Sequence, residues 1–232
     1  MMKLLSIANP KLLSGEGRGY RTFGLSLAPS TMSGYNTCPM ASPACKLACL
    51  GKESGRAHCS NVKAARIRKT LFFFEHRDAF MAQLVSDIRY AIRNATNAGL
   101  IPAFRLNVFS DIRWENIPVE GAENVMALFP NAIFYDYTKL PNRIDADFPR
   151  NYSLTFSRSE TNDAEVRRTM VMGGNVAIVF RKALPAFYLG KPVIDGTLTD
   201  LRFTDPKGVV VGLLAKGKVA KNDALGFVLE AA

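Results

Sequence analysis

An α/β chain wound as a partial (βα) barrel is the fold class that the sequence predicts. Three observations carry this. Short apolar runs rich in β-formers recur from end to end, helical patterns fill several of the gaps, and nearly every run ends in polar residues. Strands alternating with helices imply parallel strands joined by right-handed crossovers. In such folds the functional face lies at the C-terminal ends of the strands.

The runs are Phe23 to Pro29, Ala103 to Phe109, Ala132 to Tyr137, Tyr152 to Phe156, Asn175 to Phe180, Lys191 to Ile194 and Val209 to Ala215. β-branched and aromatic residues dominate most of them, as strands prefer. The clearest helical pattern covers Asn61 to Asn97, with a break near Glu75 and Asp78 as cap of the second part. Phe80, Leu84, Ile88 and Ile92 recur every fourth residue and share one face, and Gly99 supplies the stop. A weaker helix is expected over Glu120 to Leu128. Another covers Asp163 to Met172, capped by Thr161 or Asn162 and ended by Gly173-Gly174. The turn signal Asp205-Pro206-Lys207-Gly208 suggests closure by an antiparallel hairpin at the C-terminal end. An open doubly wound sheet is the other arrangement these runs allow. No linker divides the chain, so residues 1–232 read as one α/β domain carrying a cysteine-rich metal-binding loop at about 31–60.

The chain has 232 residues, 48% of them hydrophobic and 22% charged, which is enough to bury a core without covalent staples. The net charge of +10 favours polyanionic partners, nucleic acid first; a solubility surface explains the same charge. No apolar run approaches the roughly 20 residues of a spanning helix. The N-terminal apolar run is short and broken by Asn9 and Pro10, unlike a signal peptide. A cytoplasmic protein with reduced thiols and no membrane partner is therefore expected. No serine nucleophile elbow, zinc-protease helix or P-loop lysine occurs. Gly15, Gly17 and Gly19 read as an entry to the first strand rather than a phosphate cradle.

All four cysteines fall in one segment, as Cys38-x6-Cys45-x3-Cys49-x9-Cys59. Prolines make Cys38 to Cys45 a loop, and one helical turn aims Cys45 and Cys49 the same way. Clustered thiolates bind soft metals. Zinc sites favour two close pairs of cysteines, and this chain has one. A 4Fe-4S cluster is therefore favoured over zinc, with free thiols or a redox pair as the remaining reading. Cys59 is the fourth candidate ligand, with His58 beside it.

The polar tails of the runs would converge on one rim. Asp111, Lys139, Arg158 and Asp195 are the candidate catalytic residues there, while Ser110, Tyr137, Ser157, Arg181 and Lys216 are the candidate cofactor-binding residues. Asp111 and Glu115 have the chemistry of a general acid or base. Trp114 and Tyr137 either stack on a base or pack in the core. Lys63, Arg66, Arg68 and Lys69 form a basic helical face for phosphate contacts, with Lys52 and Arg56 nearby, or else a solvated surface.

Several segments resemble an uncharacterised phage family, gene product eighty-eight. They are Thr37 to Leu50, Ala65 to Phe72, Arg105 to Glu115, Tyr135 to Lys139, Thr155 to Glu160, Val193 to Gly196 and Asp200 to Pro206. More distantly, the cysteine loop after a first barrel strand is similar to that of radical SAM enzymes, whose usual spacing is C-x3-C-x2-C. That likeness implies a 4Fe-4S cluster on Cys38, Cys45 and Cys49 with S-adenosylmethionine (SAM) on its open iron; a fourth thiolate from Cys59 would fill that position. Two functions follow as expectations. One is a cluster-dependent enzyme acting on a small molecule or nucleic acid. The other is a nucleic-acid-binding accessory protein with a structural zinc or iron–sulfur site.

Overall fold

The computed structural model describes residues 2–7, 15–53, 55–143 and 148–231, so Asn9 and Pro10 lie outside the described residues. One mixed sheet organises the chain. Its strands are β1 (Leu5–Ser6), β2 (Tyr20–Leu25), β3 (Ile101–Arg105), β4 (Ile133–Thr138), β5 (Tyr152–Ser157), β6 (Val176–Phe180), β7 (Phe187–Tyr188), β8 (Lys191–Asp195), β9 (Val210–Leu214) and β10 (Val228–Leu229). The order is β1-β2-β3-β4-β5-β6-β9-β8-β7, with β10 beside β6. Strands β2 to β6, β9 and β8 run parallel, while β1 and β7 pair antiparallel at the two edges. The sheet does not close. Each strand from β2 to β6 is added beside the last, in one direction. With right-handed crossovers, that winding puts the crossover helices on one face. It is compatible with a partial barrel.

The strand pleat divides the two faces. Phe23, Phe104 and Phe134 pack under α4 (Arg77–Asn97), against Phe80, Leu84, Val85 and Ile88, and all but Phe23 are completely buried. Phe156, Val176, Ile178 and Phe180 pack under α6 (Asp163–Val171), against Val166 and Met170. Each such side chain contributes roughly 1.5–3 kcal/mol by leaving water. The opposite face carries Arg105, Tyr137, Ser157, Val179 and Leu213 toward a cavity. Phe203 packs against Tyr20 (5.0 Å) and Tyr135 (5.3 Å).

Shorter helices complete the chain: α1 (Pro43–Leu47), α2 (Leu50–Glu53), α5 (Val125–Leu128) and α7 (Gly217–Lys221). The long expected helix is split into α3 (Ser60–Glu75) and α4, as the sequence suggests. The residue at the break is His76, though, and Asp78 lies in the first turn of α4, where its charge suits the helix dipole, rather than at the cap. Gly99, at φ 69°, adopts the left-handed conformation that ends α4. The helix expected over Glu120 to Leu128 is shorter. Glu120 and Gly121 both have positive φ and form a turn, so the helix starts after Asn124, whose side chain caps Ala127 N–H at 2.9 Å. Asn162 does precede α6, but its side chain bonds Ser159 N–H instead of the helix.

The expected C-terminal hairpin is displaced. Asp205 to Gly208 leads into β9, which is parallel to β8. The antiparallel hairpin is β7–β8, turned at Leu189 and Gly190, both at positive φ. β1, β7 and β10 are two-residue strands too short to register as apolar runs. Among the described residues, no helix is long and apolar enough to cross a membrane.

Candidate functional site

The cysteine loop begins where β2 has ended. Thr37, buried in the loop, donates its hydroxyl to Ala28 O (2.7 Å), and its carbonyl accepts from Asp111 N–H (2.8 Å). These bonds fix Cys38, whose thiol donates to Phe109 O (3.3 Å) and accepts from Ser30 N–H (3.4 Å). Ser42 caps α1, with Pro43 at its start, and so orients Cys45 on the helix. Cys49 lies between α1 and α2. Gly51 follows because the chain is crowded there: a Cβ would come within 3.0 Å of Phe109 and Pro29.

Cys38, Cys45 and Cys49 line one cavity of about 290 Å³ at the C-terminal ends of the parallel strands. Burial pushes the Cys38 and Cys49 thiols above their ordinary range. Negative charge on Cys49 would raise Cys38 further, and charge on Cys45 would raise Cys49. Crowded thiolates of this kind are relieved by a cation, because a metal displaces the protons. Cys59 is exposed ahead of α3 and does not line the cavity, and His58 is exposed as well. Among the described residues, no group of three or more His, Cys, Asp or Glu is arranged to hold a metal ion. A single tetrahedral zinc draws its sulfurs to within about 3.8 Å of one another. The loop as folded is not a closed site of that kind.

Ser110, Asp111, Tyr137, Lys139, Ser157 and Lys216 of the expected rim also line this cavity. Their bonds differ in kind. Asp111 is committed: Oδ1 accepts from Arg143 Nη1 (3.0 Å) and Oδ2 from Lys139 N–H (2.8 Å). Ser110 donates to Asn107 Oδ1 (2.9 Å). Lys139 Nζ donates to Ser157 Oγ (2.8 Å) and lies 5.7 Å from the Phe227 ring centroid. Tyr137 lies under the Arg105 guanidinium (4.7 Å), and burial holds its phenol above the ordinary range.

Arg158, Arg181 and Asp195 are not brought to the cavity. Arg158 pairs with Asp163 (2.9 Å) and donates to Gly226 O (2.7 Å). Arg181 bonds Glu230 and the carbonyls of Lys221 and Asp223, which ties down the C-terminal segment. Asp195 is exposed and accepts from Thr197.

The expected basic face on α3 is divided. Lys63 and Arg68 are exposed. Arg66 donates to Gly51 O (2.7 Å) and stacks on Phe109 (4.3 Å), and Lys69 donates to Leu4 O (2.6 Å). The Arg56 side chain lies outside the described residues. Trp114 is fully buried against Phe73 and donates to Asn107 Oδ1 (3.2 Å), so it packs in the core instead of stacking on a base.

Sequence reasoning missed three supports of the cavity. Glu160 accepts from Ser42 Oγ (2.6 Å) and Ala44 N–H (2.9 Å), which clamps the cysteine loop to the end of β5. Asp200 pairs with Arg105 at 2.8 Å beneath the cavity. Arg143 joins Asp111, Glu115 and Tyr152. Only Arg105, a charge within an apolar run, left a local signal.

A family model described as Gene product 88 matches residues 3–230. No curated protein and no solved structure matches the chain.

Proposed function

The chain belongs to the Gene product 88 family, and on that footing we propose that it is an iron–sulfur-cluster-binding, radical-SAM-like protein, an enzyme acting on a small molecule. One observation carries the reading: three cysteines from the loop after the first parallel strand line a single cavity at the rim of a sheet whose strands β2 to β6 are added in one direction. Cys38, Cys45 and Cys49 would hold a 4Fe-4S cluster. With Cys59 elsewhere, one iron keeps an open position for a ligand such as SAM. When bound, the cluster supplies single electrons to that ligand. Lys139, Ser157 and Lys216 hold the polar part of a substrate. Phe109, Val179 and Leu213 exclude water, which strengthens every polar contact inside. Asp111 acts by fixing Arg143 and the end of β4.

The test is the metal content of protein purified without oxygen. The expected protein is brown and carries about four irons and four sulfides per chain. Cys38→Ser, Cys45→Ser and Cys49→Ser should each remove most of the iron, while Cys59→Ser should keep it. Colourless protein with one zinc per chain, or iron that survives the triple replacement, overturns the reading.

A second reading is the nucleic-acid-binding accessory protein, favoured by the exposed pair Lys63 and Arg68 on a chain of net charge +10. Neutralising this pair is expected to lower the slope of log affinity against log salt by roughly 0.7 to 0.9 per phosphate contact. Filter binding across a salt series, with two neutralised lysines at Lys191 and Lys207 as control, checks it. Equal losses in both variants reduce the charge to a solubility surface.

A further inference from the structure

The cavity that would receive a substrate has an unbalanced charge. Lys46, Arg105, Lys139 and Lys216 line it with only Asp111 and Asp200 in opposition, which leaves four cations against two carboxylates, a surplus of two. Both carboxylates are already engaged inside the protein. Asp111 accepts from Arg143 and from Lys139 N–H, and Asp200 pairs with Arg105. Lys139 is half-buried, and among the described residues its ammonium has only the neutral Ser157 hydroxyl and, at 5.7 Å, the Phe227 ring as partners. Withdrawing an ammonium from water without a counter-charge is costly. Ser30 adds a second unmet demand. It lines the cavity, is 3% exposed, and its hydroxyl has no partner among the described residues. Val108, Phe109, Val179, Leu213, Leu214 and Phe227 give the cavity an apolar stretch of wall.

We propose that this cavity binds a small organic anion, a carboxylate or phosphate ester on an apolar body, with its anionic group on Lys139 and Ser157. The cavity volume of about 290 Å³ suits a small molecule. The apolar walls take the body of the ligand, and the unmatched ammonium takes its charge. The inference rests on the cavity being the substrate site, and it names the class of substrate.

Matched pairs test it by calorimetry on protein as isolated without oxygen. Phenylpropionate is compared with phenylpropionamide, and adenosine monophosphate with adenosine. At least one anion is expected to bind about tenfold or more tightly than its neutral twin, as one charge-assisted hydrogen bond allows. The arm that responds distinguishes carboxylate from phosphate. Lys139→Met should abolish the preference, Lys139→Arg should keep part of it, and Lys207→Met on the exposed turn should leave it intact. A melting temperature for each variant confirms that it folds. Neutral twins that bind as tightly, no binding by either anion, or a preference that survives in a folded Lys139→Met protein would each overturn the proposal. Anion binding without iron removes the cluster reading alone, and iron without anion binding removes this one alone.

Discussion

Replacing Arg143 by Met is expected to destabilise the protein by about 3–5 kcal/mol, the usual cost of removing one partner from a buried charge network. The guanidinium side chain is only 2% exposed. Its Nη1 donates to Asp111 (3.0 Å), and its Nη2 donates to Glu115 (2.8 Å) and to the Tyr152 hydroxyl (2.8 Å). Burial disfavours its charge, yet Tyr152, Glu115 and Asp111 around it more than offset that and hold it firmly protonated. Without it, two nearly buried carboxylates face each other with no cation between them. Urea unfolding measures the loss. The combined variant Arg143→Met, Asp111→Asn, Glu115→Gln should recover most of it, because the penalty comes from stranded charge and not from missing attraction. If the triple variant is as unstable as the single one, packing and not charge is what Arg143 supplies. The consequence reaches the cavity, since Asp111 also receives Lys139 N–H and donates its own N–H to the Thr37 carbonyl in the cysteine loop.

What the sequence made legible follows from the range of the forces involved. Strands β3, β4, β5, β6, β8 and β9 are readable because apolar residues cluster within each run, and the helices between several of them imply the parallel arrangement. The cysteine loop was readable because Cys38, Cys45 and Cys49 are close in sequence. Side-chain direction was less so. Arg158 follows Ser157 directly, and the strand pleat sends neighbours to opposite faces, so only Ser157 meets the cavity. Lys139, two residues after Tyr137, keeps the same side. Arg66 and Lys69 look like a solvent face by spacing, but carbonyls of Gly51 and Leu4, placed by the tertiary fold, take their donors. Glu160 clamps Ser42 across 118 residues, and Asp200 meets Arg105 across 95; no local pattern encodes such meetings. The hairpin was misplaced because Asp205 to Gly208 is a sound turn signal in a chain that turns there without reversing the strand direction.

The stability of the protein is expected to fall as pH rises from about 4 to about 7, and Asp136 is the reason. This carboxyl is buried on β4, and burial raises it to about 7; the Asn107 N–H bond, then Arg105, Arg143 and the Tyr152 hydroxyl, pull it down without restoring its usual range. Its contacts are short: Asn107 N–H at 2.7 Å and Tyr152 Oη at 3.0 Å. In the unfolded chain the same group titrates near 4. Between these values the folded protein holds a proton that the unfolded chain has lost, so stability must fall with rising pH across that interval. Below about 4 both states are protonated and the contribution is fully present. Above about 7 it is gone. A shift of this size corresponds to roughly 2–4 kcal/mol. Asp136→Asn keeps an acceptor for Asn107 N–H and cannot ionise. Urea midpoints between pH 4.5 and 7.5 should decline for the native chain and stay nearly level for this variant. Parallel curves for the two proteins would assign the pH dependence to another group. A level curve in the native chain would mean that Arg105 and Arg143 hold the Asp136 carboxylate ionised throughout, so that its burial costs no protonation.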